Sequence, residues 1–104
     1  MAMSEKLETP KWDEALANMA NEEFLKQSRP LNLRDFSELA DEYSFRLDDI
    51  MVTMFQLVIN GDWQYIDNTG IEQQITQDTL DKLYVNRRLK EEDLQNFNGD
   101  WSPR

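Results

Sequence analysis

LDDIMVTMFQLVI, residues 47–59, decides the fold. Wound at about 100° per residue, Leu47, Ile50, Met51, Val52, Met54, Phe55, Leu57, Val58 and Ile59 sweep an apolar arc of roughly 220°. Asp49, Thr53, Gln56 and Asn60 form a narrow polar stripe. A helix resting on a single core needs an apolar arc nearer ~100°. This one has to be covered from two directions, which puts it at the centre of the domain. Asn60 and Gly61 close it, a pair suited to the left-handed conformation that ends helices.

Immediately upstream, Asn32 caps a helix in which Leu33, Phe36, Leu39, Ala40 and Tyr43 follow the helical period, with Asp35 favourably placed in the first turn. Arg34, Asp35, Glu38, Asp41 and Glu42 fall on its outer side. Ser44, Phe45 and Arg46 leave room only for two helices meeting at an angle. Further back, Thr9 and Pro10 predict a helix start. Trp12, Leu16, Ala20 and Phe24 then recur every four residues, with Met19 beside them, until Arg29, Pro30 and Leu31 break the helix. This first helix is a candidate cover for the second apolar side of 47–59. Residues 1–8 read as a flexible, charged lead-in.

Downstream the period changes. WQYI (63–66) and IEQQI (71–75) flank Asp67, Asn68, Thr69 and Gly70, which predicts a β-hairpin. Thr76 caps a further helix with Leu80, Leu83 and Tyr84 inside. That helix either runs on through Arg87 and Arg88 to Leu94 and Phe97, or breaks near Asn86 and restarts at Lys90. Residues 98–104 read as a short, irregular tail with Trp101 available to dock. The fold class is mainly α with a small β-hairpin, in one domain over 9–97.

Helix, helix, tight turn, long apolar helix, hairpin and helix, carried by FSELADEYSFRLDDIMVTMFQLVINGDWQYID, resembles the winged helix-turn-helix superfamily. The resemblance implies that 47–59 occupies the position of a DNA-recognition helix and the hairpin that of the wing. It fixes no function, since many winged helices are protein-docking modules.

The outward residues argue against DNA. A recognition helix offers Arg, Lys, Asn or Gln to bases and phosphates, whereas this one offers Asp48, Asp49, Thr53 and Gln56, and the turn DNTG carries no cation. The chain holds 21 acidic and 11 basic residues, a formal net charge of -10, which repels phosphate backbones and favours basic partners. Lys82, Arg87, Arg88 and Lys90 form the one basic cluster, and on a continuous helix Arg87–Glu91 and Arg88–Glu92 would be ordinary surface pairs. Glu22–Glu23, Asp41–Glu42, Asp48–Asp49 and Glu91–Asp93 are solvated acidic groups that together suit imitation of DNA phosphates or docking on a basic protein.

No chemistry of catalysis stands out. The sequence has no His and no Cys, which removes His-based triads and thiolate metal sites. Three Gly make no phosphate-cradling loop, and nothing in the sequence calls for a cofactor. With no apolar run near ~20 residues and no secretory pattern at the start, a cytoplasmic protein without membrane attachment is the expectation. The expected role is a non-catalytic protein-protein interaction or regulatory module. Its candidate partner-binding residues are Asp48, Asp49, Thr53, Gln56, Trp63 and Tyr65. Met51, Phe55 and Ile59 are candidate self-association residues in a homodimer. The alternatives are a DNA-binding transcription regulator and an acidic DNA mimic that binds a basic nucleic-acid-binding protein. NGDW occurs twice, at 60–63 and 98–101, each time suited to ending a helix and folding an aromatic back.

Overall fold

A computed structural model describes residues 11–104. The expected Thr9–Pro10 helix start, the lead-in of residues 1–8 and the side chain of Trp12 lie outside the described residues. Helix α1 (Lys11–Gln27) buries Leu16 and Ala20 and sets Phe24 edge-on to Trp63, with centroids 6.2 Å apart. It ends at Ser28, whose φ of 57° turns the chain out of the helix.

Helix α2 (Leu33–Tyr43) begins with a complete capping box. The Asn32 side chain accepts from the Asp35 N–H at 3.0 Å, and the Asp35 carboxylate accepts from the Asn32 N–H at 2.9 Å, so two free helix-end donors are satisfied reciprocally. Arg29 adds a two-pronged contact to the same carboxylate at 2.8 and 3.0 Å. Leu33, Phe36, Leu39 and Ala40 are buried, as their period requires. Ser44, at φ 59°, ends the helix and gives the angled connection to α3 (Leu47–Ile59).

Helix α3 is the core of the molecule. Ile50, Met51, Met54 and Phe55 are fully buried, and Leu47, Val52, Leu57, Val58 and Ile59 pack against the same cluster from its edges. Helices α1 and α2 cover it on one side. Strand β1 (Trp63–Ile66), helix α4 (Gln77–Leu83) and strand β3 (Arg88–Leu89) cover it on the other. Its C-terminus is closed as the residues predict: the Gly61 N–H donates to the Val58 carbonyl and the Asp62 N–H to the Leu57 carbonyl, with Gly61 at φ 85°, a Schellman motif.

The β structure departs from expectation. The partner of β1 is β4 (Asp100–Pro103), antiparallel, with Tyr65 opposite Trp101, so residues 98–104 are not an irregular tail. Leu31 bridges the other edge of β4 with two 2.8 Å hydrogen bonds to Trp101. Segment 71–75 pairs with β1 only briefly, through the Ile66–Glu72 bridge and two 2.9 Å hydrogen bonds, Asp67 N–H to the Ile71 carbonyl and Gln73 N–H to the Tyr65 carbonyl. Packing decides this: Ile75 is the buried residue of IEQQI while Ile71 is 60% exposed, whereas Trp101 is completely buried. Its ring meets Phe36, Phe55 and Tyr65 at centroid distances of 6.1, 5.5 and 4.6 Å, contacts worth about 0.5–1.5 kcal/mol each beyond their burial.

A tight hairpin does exist, further along. Strands β2 (Tyr84–Val85) and β3 pair across Asn86 and Arg87, both at positive φ, the backbone demanded by a two-residue turn that matches strand twist. The helix begun at Thr76, α4, therefore does not run on past Asn86, and a short α5 (Glu91–Leu94) starts after Lys90 and runs into a 3-10 turn at Gln95–Phe97. The fold is mainly α with small antiparallel sheets in one body.

Candidate interaction surface

The hairpin and α5 reach back to the start of α3, and Asp48 holds them there. Its carboxylate accepts from Arg88 Nε at 2.7 Å and from the buried Leu89 N–H at 3.2 Å, leaving the residue 8% exposed. Arg46 adds a contact from its guanidinium to the Arg87 carbonyl at 3.3 Å. Thr53, one turn further along, is 5% exposed and donates its hydroxyl to the Asp49 carbonyl at 3.2 Å. Gln56 is half-buried and donates to Gln77 of α4.

These placements correct the expected partner patch. Asp48 and Thr53 are covered by the chain itself, and Trp63 and Tyr65 point into the core at 4% and 1% exposure. The strand alternates, and its inward residues are the aromatic ones. The Tyr65 hydroxyl accepts from the Gly99 N–H at 2.9 Å, and burial pushes its phenol above the ordinary range against that hydrogen bond. Only Asp49 and Gln56 of the set keep exposed atoms. Of the expected self-association residues, Met51 and Phe55 are fully buried within one chain, and Ile59 is half-buried against the same core.

Charge is arranged differently from the local reading. Arg87 and Arg88 lie on the hairpin, so the helical pairs Arg87–Glu91 and Arg88–Glu92 do not form. Arg29, Arg34, Arg46, Lys82, Arg88 and Arg104 are each paired with a carboxylate, respectively Asp35, Glu38, Asp49, Asp78, Asp48 and Glu72. The surplus of acid over base is left to the surface. Asp67 serves the turn after β1: the Thr69 hydroxyl, the Gln73 amide and the Ile71 N–H all donate to it and hold its carboxyl at about 2.

One surface feature was not expected from the sequence. Above α3, between α1 and the last turn of α2, runs a cleft. Its larger end, about 400 Å³, is lined by Ala15, Leu16, Met19, Tyr43, Phe45 and Asp49. A smaller cavity, about 100 Å³, adjoins it across Met19 and Tyr43, which line both, and is lined further by Glu22, Glu23, Lys26 and Leu39. Tyr43, assigned by its period to the inner face of α2, is 56% exposed here. The available signal was Met19, which widens the apolar face of α1 beyond what α3 needs. Among the described residues no helix is long and apolar enough to cross a membrane. The chain matches no protein-family model, no curated protein and no solved structure.

Proposed function

We propose that this protein is a non-catalytic protein-interaction or regulatory module, built on a winged-helix-like layout whose recognition helix has become core. One observation carries the reading: α3 is covered on the side a DNA reader would expose, and the segment that covers it lies where a wing would be. Residues 67–99 leave β1, form α4, the β2–β3 hairpin and α5, and return as β4. Asp48, bonded to Arg88 and Leu89, anchors that excursion across the start of the helix. Of the residues that would have faced a groove, Asp48 and Thr53 therefore face protein.

Electrostatics supports the same reading. Affinity for nucleic acid rests on cations that displace counterions from phosphate, and the chain carries a formal charge of -10 with Arg46 and Arg88 already engaged by carboxylates. A negatively charged protein attracts basic partners instead. The acidic DNA mimic is a special case of this reading, and it is distinguished by whether bound DNA and this chain compete for one basic protein.

The test is a fluorescence anisotropy titration with mixed-sequence duplex DNA at low salt, where electrostatic binding is strongest. No saturable binding is expected. Saturable binding that falls steeply with added salt would return α3 and the hairpin to a DNA-reading role.

A further inference from the structure

We infer that the cleft between α1 and the end of α2 is a docking groove for a basic amphipathic helix of a protein partner. The inference rests on the interaction-module reading and assigns it a site. Ala15 and Lys26, the residues of α1 at the two ends, stand eleven positions apart, so the groove is about 16 Å long, three turns of helix. Its larger end is apolar, from Ala15, Leu16, Met19 and Phe45, and its smaller end is mixed, with Leu39 and Met19 beside Glu22, Glu23 and Lys26. Such a lining takes the apolar face of an amphipathic helix, with anchor residues one turn apart. The larger end takes a large aliphatic or aromatic side chain, and Tyr43 and Met19 clamp the passage to the smaller end. Tyr offers contact area at low entropic cost, and Met adapts to the shape of what it meets.

The rim sets the charge of the occupant. Glu22 and Glu23 line the groove against Lys26 among its described residues, while Asp49 is balanced by its ion pair with Arg46. Asp41 and Glu42, which precede Tyr43 in sequence, are exposed acids outside the lining. Arg46, the nearest guanidinium to Asp49, is committed to that carboxylate at 3.4 Å and to the Arg87 carbonyl. A neutral or acidic helix meets a repulsive rim. One with Lys or Arg flanking its apolar stripe meets complementary charge, which gives register and speeds association.

The probe is a synthetic helix of about 14 residues with Leu and Phe along one face and Lys on both flanks, read by fluorescence anisotropy on the full chain. Its counterpart carries Glu in place of every Lys. The Lys peptide is expected to bind, to weaken about tenfold when salt shortens the screening length to a few Å, and to outbind the Glu peptide by at least that factor. Tyr43→Asp is expected to weaken it about tenfold or more, the size of an interface anchor. Ile71→Asp, at another exposed apolar residue away from the groove, should leave it unchanged. Circular dichroism and the thermal midpoint verify that both variants stay folded. Equal binding of the two peptides, equal loss in the two variants, or no binding of the Lys peptide overturns the groove. Binding that ignores Tyr43→Asp leaves an interaction module with a different site. The interaction reading falls by a separate result, the DNA titration.

Discussion

Gly99→Ala places a methyl group where backbone already stands. A Cβ at residue 99 lies 2.3 Å from the Ile66 carbonyl oxygen, 2.9 Å from the Asp67 Cα and 3.0 Å from the Tyr65 hydroxyl. The first two belong to the main chain and have no rotamer to escape into. Overpacking of this kind costs about 1–3 kcal/mol and sometimes more. Relieving it pulls the start of β4 from the end of β1 and loses the Gly99–Tyr65 hydrogen bond, worth about 0.5–1.5 kcal/mol. The expected loss is about 2–4 kcal/mol. The second NGDW supplies the control, because Gly61 sits at φ 85° with nothing within 4 Å of an added Cβ. Gly61→Ala incurs only the left-handed backbone cost, about 1–2 kcal/mol, and Gly61→Asn less, since Asn tolerates that conformation. Urea denaturation followed by tryptophan fluorescence reads both, and with a slope of about 1–3 kcal/mol per M the Gly99→Ala midpoint falls on the order of 1 M or more. The reasoning is refuted if Gly99→Ala is no worse than Gly61→Ala, or if Gly99→Asn is milder than Gly99→Ala.

Other outcomes follow from the same geometry. Asp48→Ala leaves the buried Leu89 N–H without an acceptor, an expected loss of about 1–3 kcal/mol, and hydrogen exchange in 84–94 should speed up before the rest of the chain. Phe55→Ala, which removes a fully buried ring packed on Phe97 and Trp101, should cost about 3–5 kcal/mol. Light scattering is expected to give a mass near 12.4 kDa, since Met51 and Phe55 need no second copy to cover them. On acidification, Asp67, at about 2 when folded against its ordinary value of 3.8, contributes stability above pH 3.8 that is lost as pH falls through 2. Asp67→Asn, which keeps an acceptor for the Thr69 and Ile71 N–H groups, should flatten the acid limb of a stability-pH profile in that window. Asp35 acts in the same direction: burial pushes its carboxyl up, and Arg29 with the Asn32 N–H more than offsets this.

Short-range chemistry was legible and long-range pairing was not. The Asn32 helix start, the burial of Leu33, Phe36, Leu39 and Ala40, the Gly61 stop and the central place of 47–59 are each written within a few residues, and the structure has them; Asp35, assigned outward, is instead buried by its bonds to Arg29 and the Asn32 N–H. Asn86 was visible as a possible break because Asn tolerates a left-handed backbone, yet a continuous helix satisfied the apolar period equally well. The pairing of β1 with β4 joins Tyr65 to Trp101 across 35 intervening positions, and DWSP is too short to announce a strand. WQYI found its nearer candidate in IEQQI, which does bridge it at Glu72, but the longer pairing is with β4, which carries Trp101 into the core. The same distance hid the surface: Asp48 read as exposed because the residues that cover it, Arg88 and Leu89, come some 40 positions later. The cleft was hidden for the opposite reason, since periodicity assigned Tyr43 inward while nothing local shows that α1 stops short of covering it.

The covered stripe of α3 is open to direct measurement because the sequence contains no Cys. Single cysteines introduced by Thr53→Cys, Gln56→Cys and Asn60→Cys can be titrated with a thiol reagent in the folded protein. Asn60→Cys should react at the rate of a free thiol and Gln56→Cys more slowly. Thr53→Cys should react only through opening of the structure, slower by a factor on the order of a thousand or more. Equal, fast labelling at all three positions would mean that α3 presents its polar stripe to solvent, as a DNA-recognition helix does, and would contradict its role as a covered core.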